Sequence, residues 1–480
     1  MPQDIKQKTK IGMFWNAFEK IAVQGIGFVL NIILARLLTP HDYGTIGMLT
    51  IFLTFSNVFV DSGFSRALIQ KQDRTEQDFS TTLIFNIAIS CVLYAILFLA
   101  SPAIARFYKT PELISLQRVF FLVIILNSLI VVQNAQLQIN VDFRSIALIN
   151  AITVIASGGI AVFAAYKGLG AWALVIQTLA KSGVSALCFW FVGRWIPRTG
   201  FSKESFKRLF GFGSKLLVSG ILSTTITNVN NLVIGKIYNP ESLGYYTRAQ
   251  QFPEVTAGTL NSVLNNATFP MMAALQNEHD ELIGTFRRLI KLSALVVFPA
   301  MVGIALLSRP IILVLLGEKW LPASDLLFWL ALSYMFIPLS SLNLNLLNAI
   351  GRSDLFLKID MSKIPIIFAT MAITFPISLK AVVIGKAVTA FVYFAMNAFM
   401  IHRLYGFGVF RQLACCWKGI VATMVMAGTV VLIEMIVTKM VISMIAGIFG
   451  GMMVYLLVLF FLKEEEVKIS ARKIYERIRK

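Results

Sequence analysis

About fourteen stretches of roughly 18 or more mostly apolar residues run the length of this chain, and they constrain its fold more than any other feature. Each could cross about 30 Å of hydrocarbon as a helix. With 57% hydrophobic and 14% charged residues over 480 positions, no single soluble core could bury this much apolar surface. We therefore predict an all-α polytopic membrane protein. The predicted spans are 12–36, 43–62, 80–101, 114–137, 145–166, 168–192, 209–234, 243–272, 289–308, 322–349, 355–377, 379–402, 413–437 and 440–462.

A duplicated segment divides these spans into two similar sets. NIILARLLTPHDYG, residues 31–44, recurs in spacing as NLVIGKIYNPESLG, residues 231–244. A second pair follows in step, residues 140–145 with 348–353. Six spans precede residue 200, six follow to residue 402, and two have no counterpart. This pattern predicts two parallel six-helix repeats, plus two extra C-terminal helices.

The predicted organisation follows from these repeats. The parts are an N-lobe (1–200, spans 1–6), a C-lobe (201–402, spans 7–12), two additional spans (403–462) and a basic cytoplasmic tail (463–480). The loop that joins the lobes carries Arg194, Arg198, Lys203, Lys207 and Arg208. No segment between spans is long enough for a folded domain outside the membrane.

The distribution of basic residues predicts the orientation. With the N-terminus inside, roughly 25 Lys and Arg lie in cytoplasmic segments and about 9 lie outside, as the positive-inside rule requires. Both termini are then cytoplasmic, and the first apolar segment is a span rather than a cleaved signal. The net charge of +19 is typical of a surface held against anionic lipid, and no nucleic-acid-binding motif accompanies it.

Features that catalysis or a cofactor would need are absent from the sequence. There is no GxxxxGK[ST], no GxSxG, and no pair of carboxylates in a large outer loop. His41, His279 and His402 lack metal-ligand spacing, and the four cysteines fall in apolar spans. We expect no cofactor, no metal and no enzymatic activity, and we treat the protein as a monomer. These expectations favour transport.

Ionisable residues at membrane depth are costly, so each is a functional hypothesis. Lys181 in span six, Lys215 in span seven and Arg248 in span eight are candidates for binding an anionic substrate. The alternative for Lys181 and Arg248 is a buried structural ion pair. Glu19, Glu254 and Asp360 are candidates for coupling to protons or sodium, a hypothesis that rests on their depth alone.

Amide side chains form a second set of candidates. Asn228 and Asn231 lie in span seven, and Asn265 lies in span eight. Asn345 belongs to a stripe in span ten at helical spacing with Ser341, Asn348 and Arg352. Such stripes can hold helices together through hydrogen bonds between them, but several stripes in one protein suggest a hydrated cavity. Amides suit sugar hydroxyls, and cations suit phosphate.

Several motifs in order carry a resemblance over nearly the whole chain. They are LARLLTPHDYGTIGM, DSGFSRALIQ, GLGAWALVIQ, NNLVIGKIYNPESLGYYTRAQ and LLGEKWLPA. With them the chain resembles the polysaccharide transporter family of Wzx-type flippases, within the multidrug/oligosaccharidyl-lipid/polysaccharide exporter superfamily. Colanic-acid and teichuronic-acid type exporters look nearest.

The resemblance implies that the two six-helix repeats form a V-shaped pair of lobes, with alternating access to a central cationic cavity. The implied cargo is an undecaprenyl-diphosphate-linked oligosaccharide, moved from the cytoplasmic to the outer leaflet of the bacterial inner membrane for O-antigen, capsule or exopolysaccharide synthesis. The implied partners are this substrate, membrane lipids, and a polysaccharide polymerase with glycosyltransferases. Lipid II flippases share a Tyr-Tyr-x-x-Arg pattern followed by Phe-Pro, here Tyr245, Tyr246, Arg248, Phe252 and Pro253. Those relatives carry arginines along span one where this chain has Gln24 and Leu30, so lipid II itself is a less favoured cargo.

Two other functions stay open from the sequence. A cation-coupled drug extruder of the same superfamily would share the two lobes, although organic cations need an acidic cavity. A membrane glycan polymerase or ligase would be a different class, and the lack of a sizeable outer loop argues against it.

Overall fold

The computed structural model describes residues 23–61 and 63–464, apart from the side chains of residues 212, 215, 263–267 and 270. Within these residues the chain is built from α-helices and one short 3-10 turn, without strands. The predicted all-α class is confirmed at this level.

Eleven of the described helical segments are long and apolar enough to cross a bilayer. They are Pro40–Gln70, Glu76–Leu99, Leu113–Ile139, Phe143–Tyr166, Ala171–Gly193, Leu216–Ile237, His279–Leu306, Ala323–Ala349, Leu379–Tyr405, Trp417–Ile436 and Met440–Phe461. Three further predicted spans overlap helices that are shorter or less apolar: Val23–Leu37, Pro240–Ala274 and Ser353–Thr374. The count of fourteen therefore stays a prediction.

The chain folds as two compact units, Met1–Gly244 and Tyr245–Lys480. The described part of the first unit contains eleven helices: α1 (Val23–Leu37), α2 (Pro40–Asp61), α3 (Phe64–Gln70), α4 (Glu76–Leu99), α5 (Ser101–Tyr108), α6 (Leu113–Phe120), α7 (Leu122–Ser128), α8 (Val131–Ile139), α9 (Phe143–Tyr166), α10 (Ala171–Gly193) and α11 (Lys203–Ile237). Helix α12 (Pro240–Ala274) begins in this unit and continues into the second. The predicted lobe boundaries concern the repeats and remain predictions.

Helix α11, the predicted first span of the C-lobe, packs on α2, α3 and α4 of the first unit. An aromatic cluster fills this contact, in which Phe64 of α3 is fully buried and Phe206 lies 5.9 Å from its ring centre. The close approach of α3 is made at Gly63, whose φ of 71° favours glycine and which leaves no space for a Cβ beside Gly213.

The start of α4 anchors the segment that leads into α11. Asp78 has a fully buried carboxylate, and it forms ion pairs with Lys71 and, at 2.8 Å, with Arg208 of α11. The hydrogen bond to Asp78 raises the pKa of Arg208, so its guanidinium stays charged. Glu76 accepts a hydrogen bond from Trp195 Nε1 at 2.9 Å. The predicted linker is thus bound along the first turns of α4.

The two copies of the duplicated segment meet within the first unit. Pro40 and Pro240 each occupy the first residue of a helix, where a missing N–H costs nothing. A Cβ on Gly44 would overlap the carbonyl of Pro240, and one on Gly244 would overlap the carbonyl of Pro40. The helices α2 and α12 therefore cross at reciprocal positions of the repeat, and glycine is required at both.

The second unit is arranged around α13 and α18. Its elements are α13 (His279–Leu306), α14 (Ser308–Leu315), the 3-10 turn Glu318–Trp320, α15 (Ala323–Tyr334), α16 (Ile337–Ala349), α17 (Ser353–Thr374), α18 (Leu379–Tyr405), α19 (Val409–Cys415), α20 (Trp417–Ile436) and α21 (Met440–Phe461). Its main core joins α13, α16 and α18 through side chains such as Phe286, Leu346 and Phe394. Helices α20 and α21 pack closely because Gly451 faces Val430 and Met426.

Helix α18 is well delimited, which fixes its side chains. Ser378 precedes it and accepts a hydrogen bond from the Ala381 N–H at 3.1 Å, and Gly406 ends it with a φ of 68°. The helix packs along α15, α16 and α17. Residues in its middle therefore face several neighbouring helices at once.

Candidate functional site

Each unit contains polar and charged side chains within its long apolar helices, away from the helix ends.

In the first unit, Lys181 lies in the middle of α10 and its side chain is exposed. It makes no hydrogen bond, ion pair or ring contact with any other residue that the structure describes. Lys181 therefore does not form a buried structural ion pair with any described residue. An ammonium group near the centre of a bilayer costs about 2.5–3.5 kcal/mol, so its position indicates a role.

A network of hydrogen-bonded polar side chains starts at Ser182, the residue that follows Lys181 in sequence. Ser182 donates a hydrogen bond to Asn127 at 2.7 Å, and Asn127 donates one to Asn57 at 3.0 Å. These residues join α10, α7 and α2. Sequence reasoning missed this hydrogen-bonded network, because its members come from three separate helices and no single helix shows a stripe of polar residues.

The remaining candidates of the first unit lie on α11. Asn228 is half-buried and donates to the Thr224 carbonyl of its own helix at 3.0 Å, and Asn231 is also half-buried. Thr225 and Thr227 are exposed and likewise bond to carbonyls one turn earlier. The side chain of Lys215 lies outside the described part. The Asn228 amide is thus partly satisfied by its own helix and keeps hydrogen-bonding groups for a ligand.

In the second unit, the Tyr-Tyr-x-x-Arg pattern opens the continuation of α12. Tyr245 packs edge-on against Trp320, with ring centres 6.2 Å apart, and Tyr246 is only 1% exposed. Arg248 is half-buried. Asn345 of α16 is half-buried as well, whereas the side chain of Asn265 lies outside the described part. Arg248 and Asn345 both belong to this unit.

The three acidic candidates have different surroundings. Glu254 of α12 is exposed and accepts a hydrogen bond from Gln250 at 3.1 Å. Asp360 of α17 forms an ion pair with Lys363 at 2.7 Å, one turn along the same helix. Glu19 lies outside the described residues. Glu254 is consequently the better placed of the two described carboxylates for exchanging a proton or cation.

The structure reveals a further charged residue, Lys386 in α18, which sequence reasoning missed. Its Nζ donates a hydrogen bond to the Tyr246 hydroxyl at 3.0 Å. The same nitrogen lies 5.5 Å from the centre of the Tyr246 ring and 5.4 Å from that of Tyr334 in α15. A lysine in the apolar span 379–402 was a visible signal, but its two tyrosine partners lie far away in sequence.

No metal site emerges among the described residues, where no three His, Cys, Asp or Glu side chains lie together. His41 instead lies 3.6 Å from Glu112. The cations, amides and hydroxyls described above can bind phosphate and sugar groups directly.

The sequence of the chain is similar to those of several known proteins. Residues 33–325 match the family described as "Polysaccharide biosynthesis protein". The chain is 28% identical over 357 residues to the teichuronic acid biosynthesis protein TuaB of Bacillus subtilis (strain 168), covering 74% of both chains. It is 26% identical over 323 residues to the lipopolysaccharide biosynthesis protein WzxC of Escherichia coli (strain K12), covering 66% of this chain and 65% of WzxC.

The fold also has a counterpart among solved structures. The inward closed conformation of the lipid II flippase MurJ superposes with a TM-score of 0.75 at 16% identity, covering 95% of this chain and 99% of MurJ. At this identity the likeness concerns the fold. With eleven candidate spans and these relatives, the chain is a multi-pass membrane protein.

Proposed function

Because the chain belongs to the polysaccharide biosynthesis protein family, we propose that it is a flippase for a lipid-linked oligosaccharide. The cargo is an undecaprenyl-diphosphate-linked oligosaccharide, which the protein moves from the cytoplasmic to the outer leaflet of the bacterial inner membrane. The names of TuaB and WzxC place these relatives in teichuronic acid and lipopolysaccharide synthesis, which supports a surface polysaccharide as the end product.

One observation carries this proposal, namely Lys181. An exposed ammonium in the middle of an apolar helix, without a partner among the described residues, needs an anion or water to offset its desolvation. The diphosphate headgroup of a prenyl-linked sugar supplies such an anion. A lipid-linked cargo also explains why the cation lies at membrane depth, since its tail can stay in the bilayer.

The proposed division of labour follows side-chain chemistry. Arg248, Lys181 and Lys215 bind phosphate oxygens, because guanidinium and ammonium groups donate charge-assisted hydrogen bonds. Asn228, Asn231, Asn265 and Asn345 bind sugar hydroxyls, since an amide offers both donors and acceptors. Alternating exposure of these groups to the two sides of the membrane moves the headgroup. No covalent chemistry is required, so the protein acts as a transporter rather than an enzyme.

The finer architecture belongs to the same proposal. Fourteen spans in a six-six-two arrangement place both termini in the cytoplasm, with the basic tail 463–480 against anionic lipid. The protein works as a monomer, alongside a polymerase and glycosyltransferases that use and supply its cargo. The helical segments that overlap all fourteen predicted spans support this arrangement.

Ion coupling is proposed through Glu254, with Glu19 and Asp360 as further candidates. Glu254 is exposed and bound only to the neutral Gln250 among the hydrogen-bonded partners described for it. Asp360 is already neutralised by Lys363. Transport into vesicles should respond to an imposed proton or sodium gradient, and E254Q should remove that response. Transport by wild-type protein that ignores both gradients contradicts coupling.

Replacement of Arg248 tests the flippase proposal. In cells whose own copy of the gene is disrupted, Arg248→Ala should stop export of the surface glycan, and the prenyl-linked oligosaccharide should accumulate on the cytoplasmic leaflet. Arg403→Ala is the matched control, because Arg403 is exposed at the end of α18 and lies over the Phe399 ring. Immunoblots must show equal protein. Normal export by the Arg248 variant would remove this residue from the site.

A further inference from the structure

Lys386 is surrounded by two tyrosines that position its ammonium group and leave it able to bind an anion. Tyr246 and Tyr334 are 1% and 8% exposed, and both present their rings to the Lys386 ammonium. The faces of aromatic rings attract cations, and the Tyr246 oxygen accepts one hydrogen bond from Nζ at 3.0 Å. These contacts fix the position of the ammonium group without neutralising it.

The charge of Lys386 is not cancelled by a direct ion pair within the described chain. Its polar contact there is the Tyr246 hydroxyl, and no described carboxylate lies within 4.0 Å of Nζ. An ammonium has three donors, so two remain after the bond to Tyr246. A charge inside an apolar helix without a counter-ion is costly, and such cations mark substrate or ion pathways.

Glu254 interacts with Lys386 electrostatically but does not form an ion pair with it. Tyr246, Gln250 and Glu254 follow one another at intervals of four residues on α12, so they lie on one face of that helix. Glu254 is turned toward Gln250, to which it is hydrogen-bonded at 3.1 Å. The Lys386 donors are therefore left for another acceptor.

Lys386 is half-buried as a residue, so some of its surface is accessible from outside the helices that surround it. A metal ion or an organic cation would be repelled by the Lys386 ammonium. An oxyanion is attracted and can accept the two remaining N–H groups. The chemistry of this position selects an anionic group with several oxygens.

We infer that Lys386, positioned by Tyr246 and Tyr334, is an additional contact for a phosphate group of the transported lipid diphosphate. This inference rests on the proposed function and adds to it a residue of the second unit that no motif indicates. Tyr246 is the positioning residue, because it holds Nζ through its hydroxyl and ring. Lys386 itself contacts the substrate.

Binding of inorganic pyrophosphate to the purified full chain tests the inference. Dissociation constants are measured by calorimetry in lipid nanodiscs for wild-type protein, K386M and K386Q. Loss of a charge-assisted hydrogen bond in a partly buried site should weaken binding about tenfold or more. Lys380→Met is the matched control, because Lys380 lies on the same helix, is exposed, and forms a surface ion pair with Asp325 at 3.0 Å. Its affinity should stay within about twofold of wild type.

Three further measurements sharpen the test. K386R keeps the charge and should bind pyrophosphate within a few fold of wild type. E254Q removes a negative charge near the ammonium and should bind at least as tightly. Glucuronate, a carboxylate sugar, should bind equally to wild type and K386M. If affinity for glucuronate rather than pyrophosphate depends on Lys386, the anion is a sugar carboxylate and the phosphate assignment is overturned.

Other outcomes also decide the matter. Absent pyrophosphate binding by wild type, or unchanged binding by K386M and K386Q, overturns the inference but leaves the flippase proposal intact, because glycan export in cells tests that separately. If neither neutral variant folds, pyrophosphate should protect Lys386 of wild-type protein from acetylation, measured by mass spectrometry with Lys380 as the internal reference. Equal acetylation of Lys386 with and without pyrophosphate overturns the inference.

Discussion

Asn343 of α16 and Gln412 of α19 exchange two hydrogen bonds across the second unit. Asn343 Nδ2 donates to Gln412 Oε1 at 3.0 Å, and Gln412 Nε2 donates to Asn343 Oδ1 at 2.8 Å. Both side chains are fully buried. The pair fastens the short helix α19, which precedes α20, to the core of the unit.

Replacing only one residue of this pair should lower stability strongly, because the other is left buried without its hydrogen-bond partner. Asn343→Leu should decrease the free energy of unfolding by about 1–3 kcal/mol, since the Gln412 amide keeps its desolvation without its partner. The double replacement Asn343→Leu with Gln412→Leu should cost less than the sum of the single changes. A double-mutant cycle of unfolding in detergent, followed by tryptophan fluorescence, measures this. Strict additivity would contradict the pairing.

The buried carboxylate of Asp78 gives a second prediction. Asp78→Asn leaves the charges of Lys71 and Arg208 without their shared partner. Because Arg208 is 46% exposed, we expect a loss near the lower end for a broken buried pair, about 3 kcal/mol. The melting temperature of the purified variant should fall clearly. The same change at Asp354, whose pair with Arg352 at 2.9 Å is exposed to water, should leave the melting temperature almost unchanged. Equal shifts for both variants would show that Asp78 is no anchor.

The reciprocal helix crossing gives a third prediction. Gly44→Ala and Gly244→Ala should each destabilise the protein by about 1–3 kcal/mol, because the new Cβ overlaps a proline carbonyl. Gly159→Ala is the control, since no atom lies within 4 Å of its added Cβ, and alanine in a helix should be neutral or slightly stabilising. Accumulation in membranes and thermal unfolding are measured for all three. Wild-type melting of the Gly44 variant would mean that the helices do not meet there.

The sequence predicted much of this architecture because its signals are local. Apolar length indicated the helices, and the duplicated Pro-x-x-x-Gly spacing picked out Gly44 and Gly244. What it did not indicate is that these glycines meet each other's proline carbonyl, since a repeat carries no information about contacts between its copies. The fold was expected from the resemblance, and the described helices agree with it.

Some charged residues could also be identified from the sequence, whereas others could be identified only from the structure. Lys181 could be identified from depth alone, because a mid-span lysine needs no partner to be noticed. Lys386 gains its meaning from Tyr246 and Tyr334, which are brought to it by two other helices. Predicted sites such as Arg248 and Asn345 stay predictions until binding is measured. Long-range polar contacts depend on helix packing, and periodicity does not encode that packing.

The anchor at α4 has a consequence for biosynthesis. Asp78 and Arg208 are 130 residues apart, so the carboxylate emerges from the ribosome long before its guanidinium partner. At ordinary translation speeds this interval is on the order of ten seconds, and during it Lys71 is the one described ion-pair partner available to Asp78. Nascent chains released at residue 200 should accordingly be cut by protease near residues 71–78 far more readily than chains released at residue 244. The first unit thus completes its folding only after α11 has been made.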